Sequence, residues 1–153
     1  MTLDIVDGLV QEDSLRISWK KGHESQFYWQ ADVPADFSQM EQDGGALVME
    51  FMINKHPKGS VTQRMDCGWP CRGEIDVTEF YKSIPLRQRS KVGISLSCFK
   101  KMGVDMEKIT SPLVLVSKDE FEITFSDVRV IANASEDNTI QLCDSEVATL
   151  LQD

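Results

Sequence analysis

Apolar and polar residues alternate with a period of two in several short runs of this chain, the pattern of strands buried on one face. Leu15, Ile17 and Trp19 alternate with Arg16 and Ser18, and Phe27, Trp29 and Ala31 alternate with Gln26, Tyr28 and Gln30. The polar turn Lys20-Lys21-Gly22-His23-Glu24 between these runs predicts a hairpin. A polar, proline-containing stretch from Asp32 to Asp43 ends at Gly44-Gly45. After it Leu47, Met49, Phe51 and Ile53 mark a long central strand. Beyond the Pro57-Lys58-Gly59 turn, Val61, Gln63 and Met65 alternate with Thr62, Arg64 and Asp66.

Helical spacing is brief. Val77, Phe80, Tyr81 and Ile84 fall at i, i+3, i+4 and i+7 behind an Asp76 or Thr78 cap, and Pro85 stops the segment. Val92, Ile94, Leu96 and Cys98 read as another strand, and Phe99 to Ile109 as a second short helical excursion around Gly103. Leu113 to Ser117 and Phe121 to Ile131 complete the strand set across the polar turn Lys118-Asp119-Glu120. Roughly eight strands with short helices predict an all-β fold, a two-sheet antiparallel jelly-roll sandwich. The sandwich is expected over residues 14–131, with 1–13 as a lead-in and 132–153 as an acidic tail in which Val147, Leu150 and Leu151 form one amphipathic turn.

A length of 153 residues suits one domain. No apolar run approaches the ~18 residues of a membrane helix, so no membrane insertion is expected. The formal net charge of -9 argues against nucleic acid and anionic membranes, both of which are bound through lysine and arginine. The start Met1-Thr2-Leu3-Asp4-Ile5 lacks a basic segment followed by a long apolar one. A cytosolic protein or a fragment is the expectation.

Cys67 and Cys71 flank Gly68-Trp69-Pro70, a turn-forming spacer that brings the two together. A small disulfide loop, and with it an exported protein, is one reading; two reduced cysteines beside a turn is the other. Cys98 reads as a buried thiol and Cys143 as a tail thiol. A zinc site would need two further ligands, and His23 and His56 sit in unrelated loops. For the same reason no Ser-His or Cys-His pair suggests a nucleophile, and the many carboxylates single out no glycosidase pair.

The polar sides of the second to fourth runs bring forward Tyr28, Gln30, Glu50, Arg64 and Asp66, with Trp69 at the rim. Sugar recognition uses this chemistry: aromatic rings pack on the apolar face of a pyranose, while carboxylates, amides and arginine take its hydroxyls. Ordinary surface ion pairs, with Trp69 packed over the cysteines, are the alternative. Trp19 and Trp29 lie on apolar sides and are expected in the core. Glu12, Asp13 and Asp127 form a candidate structural calcium site, since calcium takes carboxylate oxygens from separated segments.

Several segments together resemble a known domain: 45–51 (GALVMEF), 61–67 (VTQRMDC), 73–78 (GEIDVT), 96–99 (LSCF), 103–106 (GVDM), 110–113 (TSPL) and 125–129 (FSDVR). In this order, across about residues 8 to 131, they are similar to the carboxy-terminal domain of bacterial family 3 glycoside hydrolases of the exo-β-glucanase or glucan glucohydrolase type. The resemblance implies a galactose-binding-like jelly roll attached to a periplasmic or extracellular enzyme that removes glucose from β-glucans. It implies that the catalytic residues lie in other domains of the parent chain, and that this segment carries no catalytic residue and requires no cofactor. β-Glucan or gluco-oligosaccharides, and the parent's catalytic domains, are the expected partners. A purely structural domain without sugar affinity and a stand-alone protein-interaction sandwich with free thiols are the alternatives.

Overall fold

A computed structural model describes residues 1–6, 14–133 and the backbone of 141–142. In chain order the elements are β1 (Thr2–Val6), β2 (Ser14–Trp19), β3 (Ser25–Tyr28), α1 (Ser38–Gln42), β4 (Ala46–Lys55), β5 (Val61–Asp66), β6 (Arg72–Asp76), α2 (Thr78–Ser83), β7 (Arg89–Ser95), α3 (Leu96–Lys101), β8 (Ser111–Ser117), β9 (Phe121–Ile131) and β10 (Gln141–Leu142). They build two sheets. One has the order β1-β2-β9-β4-β7-β10 and the other β3-β8-β5-β6. Every pairing is antiparallel except that of β10 with β7.

The two sheets face each other across one core, which explains the alternation. Ile17 and Trp19 from β2, Met49, Phe51 and Ile53 from β4, and Phe121, Ile123 and Phe125 from β9 point in from the larger sheet. Phe27, Val61, Met65, Ile75, Leu113 and Leu115 answer from the smaller one. Aromatic rings line the inner side of the larger sheet: Trp19 stacks on its cross-strand partner Phe121 at 5.4 Å, and Tyr81 of α2 packs onto that sheet, 5.5 Å from both Phe51 and Phe121. Burial of this apolar surface, at about 25 cal/mol per Å², is the main stabilising term of such a sandwich.

Three expectations change. The polar turn at residues 20–24 is not a hairpin, because β2 lies in the larger sheet and β3 in the smaller one. Trp19 and Phe27 both point inward from opposite layers, and the Trp19 indole N–H donates to the Ser25 carbonyl at 3.1 Å, closing the crossing. The strand expected through Cys98 ends at Ser95, whose hydroxyl accepts from the Ser97 amide at 3.3 Å and caps α3. Leu96, Cys98 and Phe99 are therefore buried from a helix. The sandwich also takes in Thr2–Val6 and, through β10, Gln141–Leu142. The amphipathic turn expected at Val147, Leu150 and Leu151 lies outside the described residues, as does Cys143.

Helix α2 forms where expected. Asp76 accepts from both the amide and the hydroxyl of Thr78, at 2.9 and 2.6 Å, and the Thr78 hydroxyl in turn accepts from the Val61 amide at 2.8 Å. This ties the start of the helix to β5. Cys67 and Cys71 are joined in a disulfide, and Cys98, buried as expected, is disulfide-bonded rather than a thiol.

Candidate functional site

The outer face of the smaller sheet follows from its register. Tyr28 of β3 stands opposite Val114 of β8, Val114 opposite Arg64 of β5, and Arg64 opposite Glu74 of β6. Residues two apart share a face. Gln26, Asp66 and Arg72 therefore join this row on the same side, Asp66 directly opposite Arg72. Tyr28 is 50% exposed, whereas Val114 beneath the row is fully buried.

Arg64 anchors the polar centre. Its Nε donates to Asp66 Oδ1 at 2.6 Å, and its terminal nitrogen donates to Asp66 Oδ2 at 3.1 Å and to the Gln26 amide oxygen at 3.0 Å. The bidentate pair fixes a planar guanidinium over the sheet. Both partners are partly covered, so the frame holds its shape without a ligand.

Trp69 stands at one end of the face and is 79% exposed. Its loop is closed four ways. The Cys67–Cys71 disulfide and the Cys67 amide to Cys71 carbonyl bond, 2.9 Å, close its base. The Cys71 amide donates to the Gly68 carbonyl at 2.7 Å, and the Gly68 amide to the Thr110 hydroxyl at 3.1 Å. Gly68 has a φ of 87°, a conformation that a side chain would oppose. The Arg72 guanidinium lies 4.3 Å from the centre of the indole, over one ring face, and its Nε contacts Glu74 Oε1 at 3.2 Å. The other ring face is open.

The structure thus gathers Tyr28, Arg64, Asp66 and Trp69 on one face, with the exposed Gln30 continuing the chain two residues past Tyr28. Glu50 is not among them. It belongs to β4 in the larger sheet, where it accepts from Arg129 at 3.1 Å. The reading of consecutive strands as neighbours in one sheet placed it wrongly. Gln26, Arg72 and Glu74 were missed as members of the face. The alternation had assigned Gln26 to the side of Tyr28, but 72–76, a short run with three charges around Gly73 and Ile75, carried no readable strand signal. Trp19 is 3% exposed and in the core; Trp29 is 37% exposed and sits at the edge against Phe27 and Phe125.

Of the candidate calcium ligands, Glu12 and Asp13 lie outside the described residues. Asp127 accepts from Arg129, which bridges it to Glu50. Among the described residues no group of three or more His, Cys, Asp or Glu is placed to hold a metal. No described helix is long and apolar enough to cross a membrane.

An open row of aromatic and hydrogen-bonding groups is suited to an extended polar ligand. β3 and β6 lie three strand spacings apart, about 14 Å, which is room for a short run of sugar units. A family model described as galactose-binding domain-like matches residues 1–130. The fold is similar to the extra C-terminal domain of an exo-1,3/1,4-β-glucanase from a Pseudoalteromonas species, with a TM-score of 0.71 and 17% identity over 92% of this chain and 74% of that one. It is similar as well to a longer structure of the exo-1,3/1,4-β-glucanase of that organism, with a TM-score of 0.75 and 19% identity, where 95% of this chain spans 17% of the other's length. A family 30 carbohydrate-binding module of a Clostridium thermocellum cellulosomal cellulase matches with a TM-score of 0.62 and 18% identity, over 77% of this chain and 73% of the module. No curated protein matches the chain.

Proposed function

The chain belongs to the galactose-binding domain-like family Exop_C, and on that premise we propose that it is a non-catalytic, carbohydrate-binding accessory domain of a secreted β-glucan exo-hydrolase of family 3. One observation carries the reading: the outer face of the smaller sheet sets Tyr28 and Trp69 on either side of a preformed Arg64–Asp66–Gln26 frame. A glucan chain lies across the strands. The open face of Trp69 and the ring of Tyr28 pack against pyranose C–H faces, and Arg64, Asp66 and Gln26 exchange hydrogen bonds with the hydroxyls between them. Because the frame exists before binding, little ordering opposes association. The Cys67–Cys71 bond supports an oxidising compartment, periplasmic or extracellular, for the parent protein.

Calorimetric titration with cello- and laminari-oligosaccharides tests this. The reading expects binding that weakens roughly tenfold, about 1.4 kcal/mol, in Trp69→Ala and similarly in Arg64→Ala. It expects no turnover of cellobiose or laminaribiose by the purified chain. Binding indifferent to both substitutions rejects the site, and no binding at all rejects the sugar role.

A second reading, a structural domain that packs on its hydrolase, is favoured by β1. Leu3 and Ile5 lie on the core side of the larger sheet yet are 51% and 70% exposed, an apolar edge that a neighbouring domain would cover. The third alternative required free thiols at Cys67 and Cys71, and these two are bonded.

A further inference from the structure

The opposite face of the sandwich, away from Tyr28 and Trp69, carries a hollow that the glucan reading does not use. It lies on the outer side of the larger sheet and has a volume of about 170 Å³. One cross-strand row builds it: Arg16 of β2 stands opposite Thr124 of β9, Thr124 opposite Met52 of β4, and Met52 opposite Arg89 of β7. Two arginines thus flank a floor made of a hydroxyl and a thioether, and Asn54 and Ser126 close its sides.

The polarity of this hollow is one-sided. Arginine donates and cannot accept. Asn54 Oδ1 is occupied by the Thr124 hydroxyl at 2.7 Å, which leaves the amide NH₂ to donate. Ser126 gives its proton to the Glu50 carbonyl at 3.3 Å and keeps its lone pairs. Among the described residues the carboxylates of this face are otherwise engaged: Glu50 and Asp127 with Arg129, and Glu122 with Ser18 at 2.7 Å. Asp4 approaches Arg16 only to 3.7 Å, an exposed pair of small worth. Among the described residues Arg89 makes no ion pair. In a chain of net charge -9, the described residues therefore hold here a local surplus of donors and positive charge.

We propose that this hollow binds an anionic sugar unit, a pyranose bearing a carboxylate or a sulfate ester. Arg16 and Arg89 stand on opposite flanks, so one of them meets the oxyanion with charge-assisted donors while the other donates to hydroxyl oxygens at the far side of the ring. Asn54 donates to a ring or hydroxyl oxygen, Ser126 and Thr124 accept from hydroxyls, and Met52 lies under the C–H face. The volume is below the roughly 300 to 1,000 Å³ of sites for larger ligands and suits one saccharide residue. The domain then has two faces with separate chemistry, one reading neutral chain and the other a charged substituent. The second does not depend on the first.

Titration of the full chain with sodium glucuronate, glucose sulfate, glucose and inorganic sulfate, followed by backbone amide shifts, decides the matter. Glucuronate or glucose sulfate is expected to shift the amides of Asn54 and Thr124 and leave those of Arg64 and Trp69 in place; which of the two binds more tightly identifies the substituent. Affinity is expected to fall roughly tenfold in Arg89→Gln and in Arg16→Gln, each checked for an unchanged fold by circular dichroism. Absence of shifts with both anionic sugars, or shifts unaffected by both substitutions, overturns the proposal. Glucose binding equally well removes the role of the arginines, and inorganic sulfate binding as tightly as the sugars removes the role of the sugar ring.

Discussion

The Tyr81 hydroxyl is fully buried among Phe51, Phe80 and Phe121, and its oxygen has no hydrogen-bond partner among the described residues. Burial pushes its pKa well up, since a phenolate has no solvation there. An unpaired buried hydroxyl costs about 1–3 kcal/mol. Tyr81→Phe keeps the three ring contacts and removes that atom, so the urea midpoint is expected to rise by the equivalent of about 1 kcal/mol; a fall would reveal a partner for the hydroxyl. Gln63 offers the same argument from the centre of β5. Among the described residues its carbonyl oxygen is unpaired, and its amide reaches only the Met49 sulfur at 3.5 Å. Gln63→Met, close in volume, is expected to stabilise by about 1 kcal/mol in the same measurement, while leaving sugar titrations unchanged because Gln63 faces the core. Alternation had placed Gln63 on the side of Val61 and Met65, so the sequence already carried the anomaly. Its missing partner was not visible, because that depends on which residues the opposite sheet brings over it.

At the scale of elements, strands with one clean apolar side were legible and edge strands were not. β2, β4, β5, β8 and β9 lie close to their expected limits because each buries alternate residues against the facing sheet. β1 is exposed along nearly its whole length, so its pattern has no buried side to report. β6 is the edge of the smaller sheet and hides Gly73 as well as Ile75. That glycine is needed for contact rather than for conformation. A Cβ there would lie 2.7 Å from Val104 Cγ2, 2.9 Å from Met102 Cβ and 3.0 Å from the Phe99 carbonyl oxygen. The turn after α3 therefore seats directly on β6. Gly73→Ala is expected to destabilise by about 1–3 kcal/mol through overpacking. It is also expected to weaken cello-oligosaccharide binding, because Arg72 beside it supports the Trp69 ring. A double-mutant cycle with Val104→Ala, which removes the 2.7 Å contact, is the comparison; strictly additive losses would reject the packing argument.

For the whole molecule, the sandwich was legible and the pairing of its strands was not, and the fate of the candidate face follows from that difference. Tyr28, Arg64 and Asp66 share a face because their strands all belong to the smaller sheet, whereas Glu50 was lost when the chain crossed to the other layer between β3 and β4. Periodicity gives the side of a residue, and long-range pairing gives its sheet. The same crossings bring the turns at one pole together, and there Lys58 meets Glu120 at 2.7 Å. The lysine beside it holds the Glu120 carboxyl below its ordinary range, and the carboxylate raises the Lys58 ammonium. Asp36 is lowered likewise by the Ser38 hydroxyl and amide. A lowered native carboxyl means that the unfolded chain takes up the proton first, so these contributions are complete above the ordinary carboxylate pKa of about 4 and fade as pH falls through the native values. The raised ammonium works in the other direction: its contribution is complete below about pH 10 and is lost as pH rises through the native value. Net charge opposes the acid effect at first, because protonating a few of the 25 carboxylates relieves self-repulsion in a chain of charge -9. Urea midpoints are thus expected to change little between about pH 7 and 5 and to drop below about pH 4. In Glu120→Gln the acid drop is expected to be shallower, with the alkaline loss near Lys58 reduced as well. An unchanged acid limb in that variant would show that the polar bridge between the turns carries none of the fold's acid sensitivity.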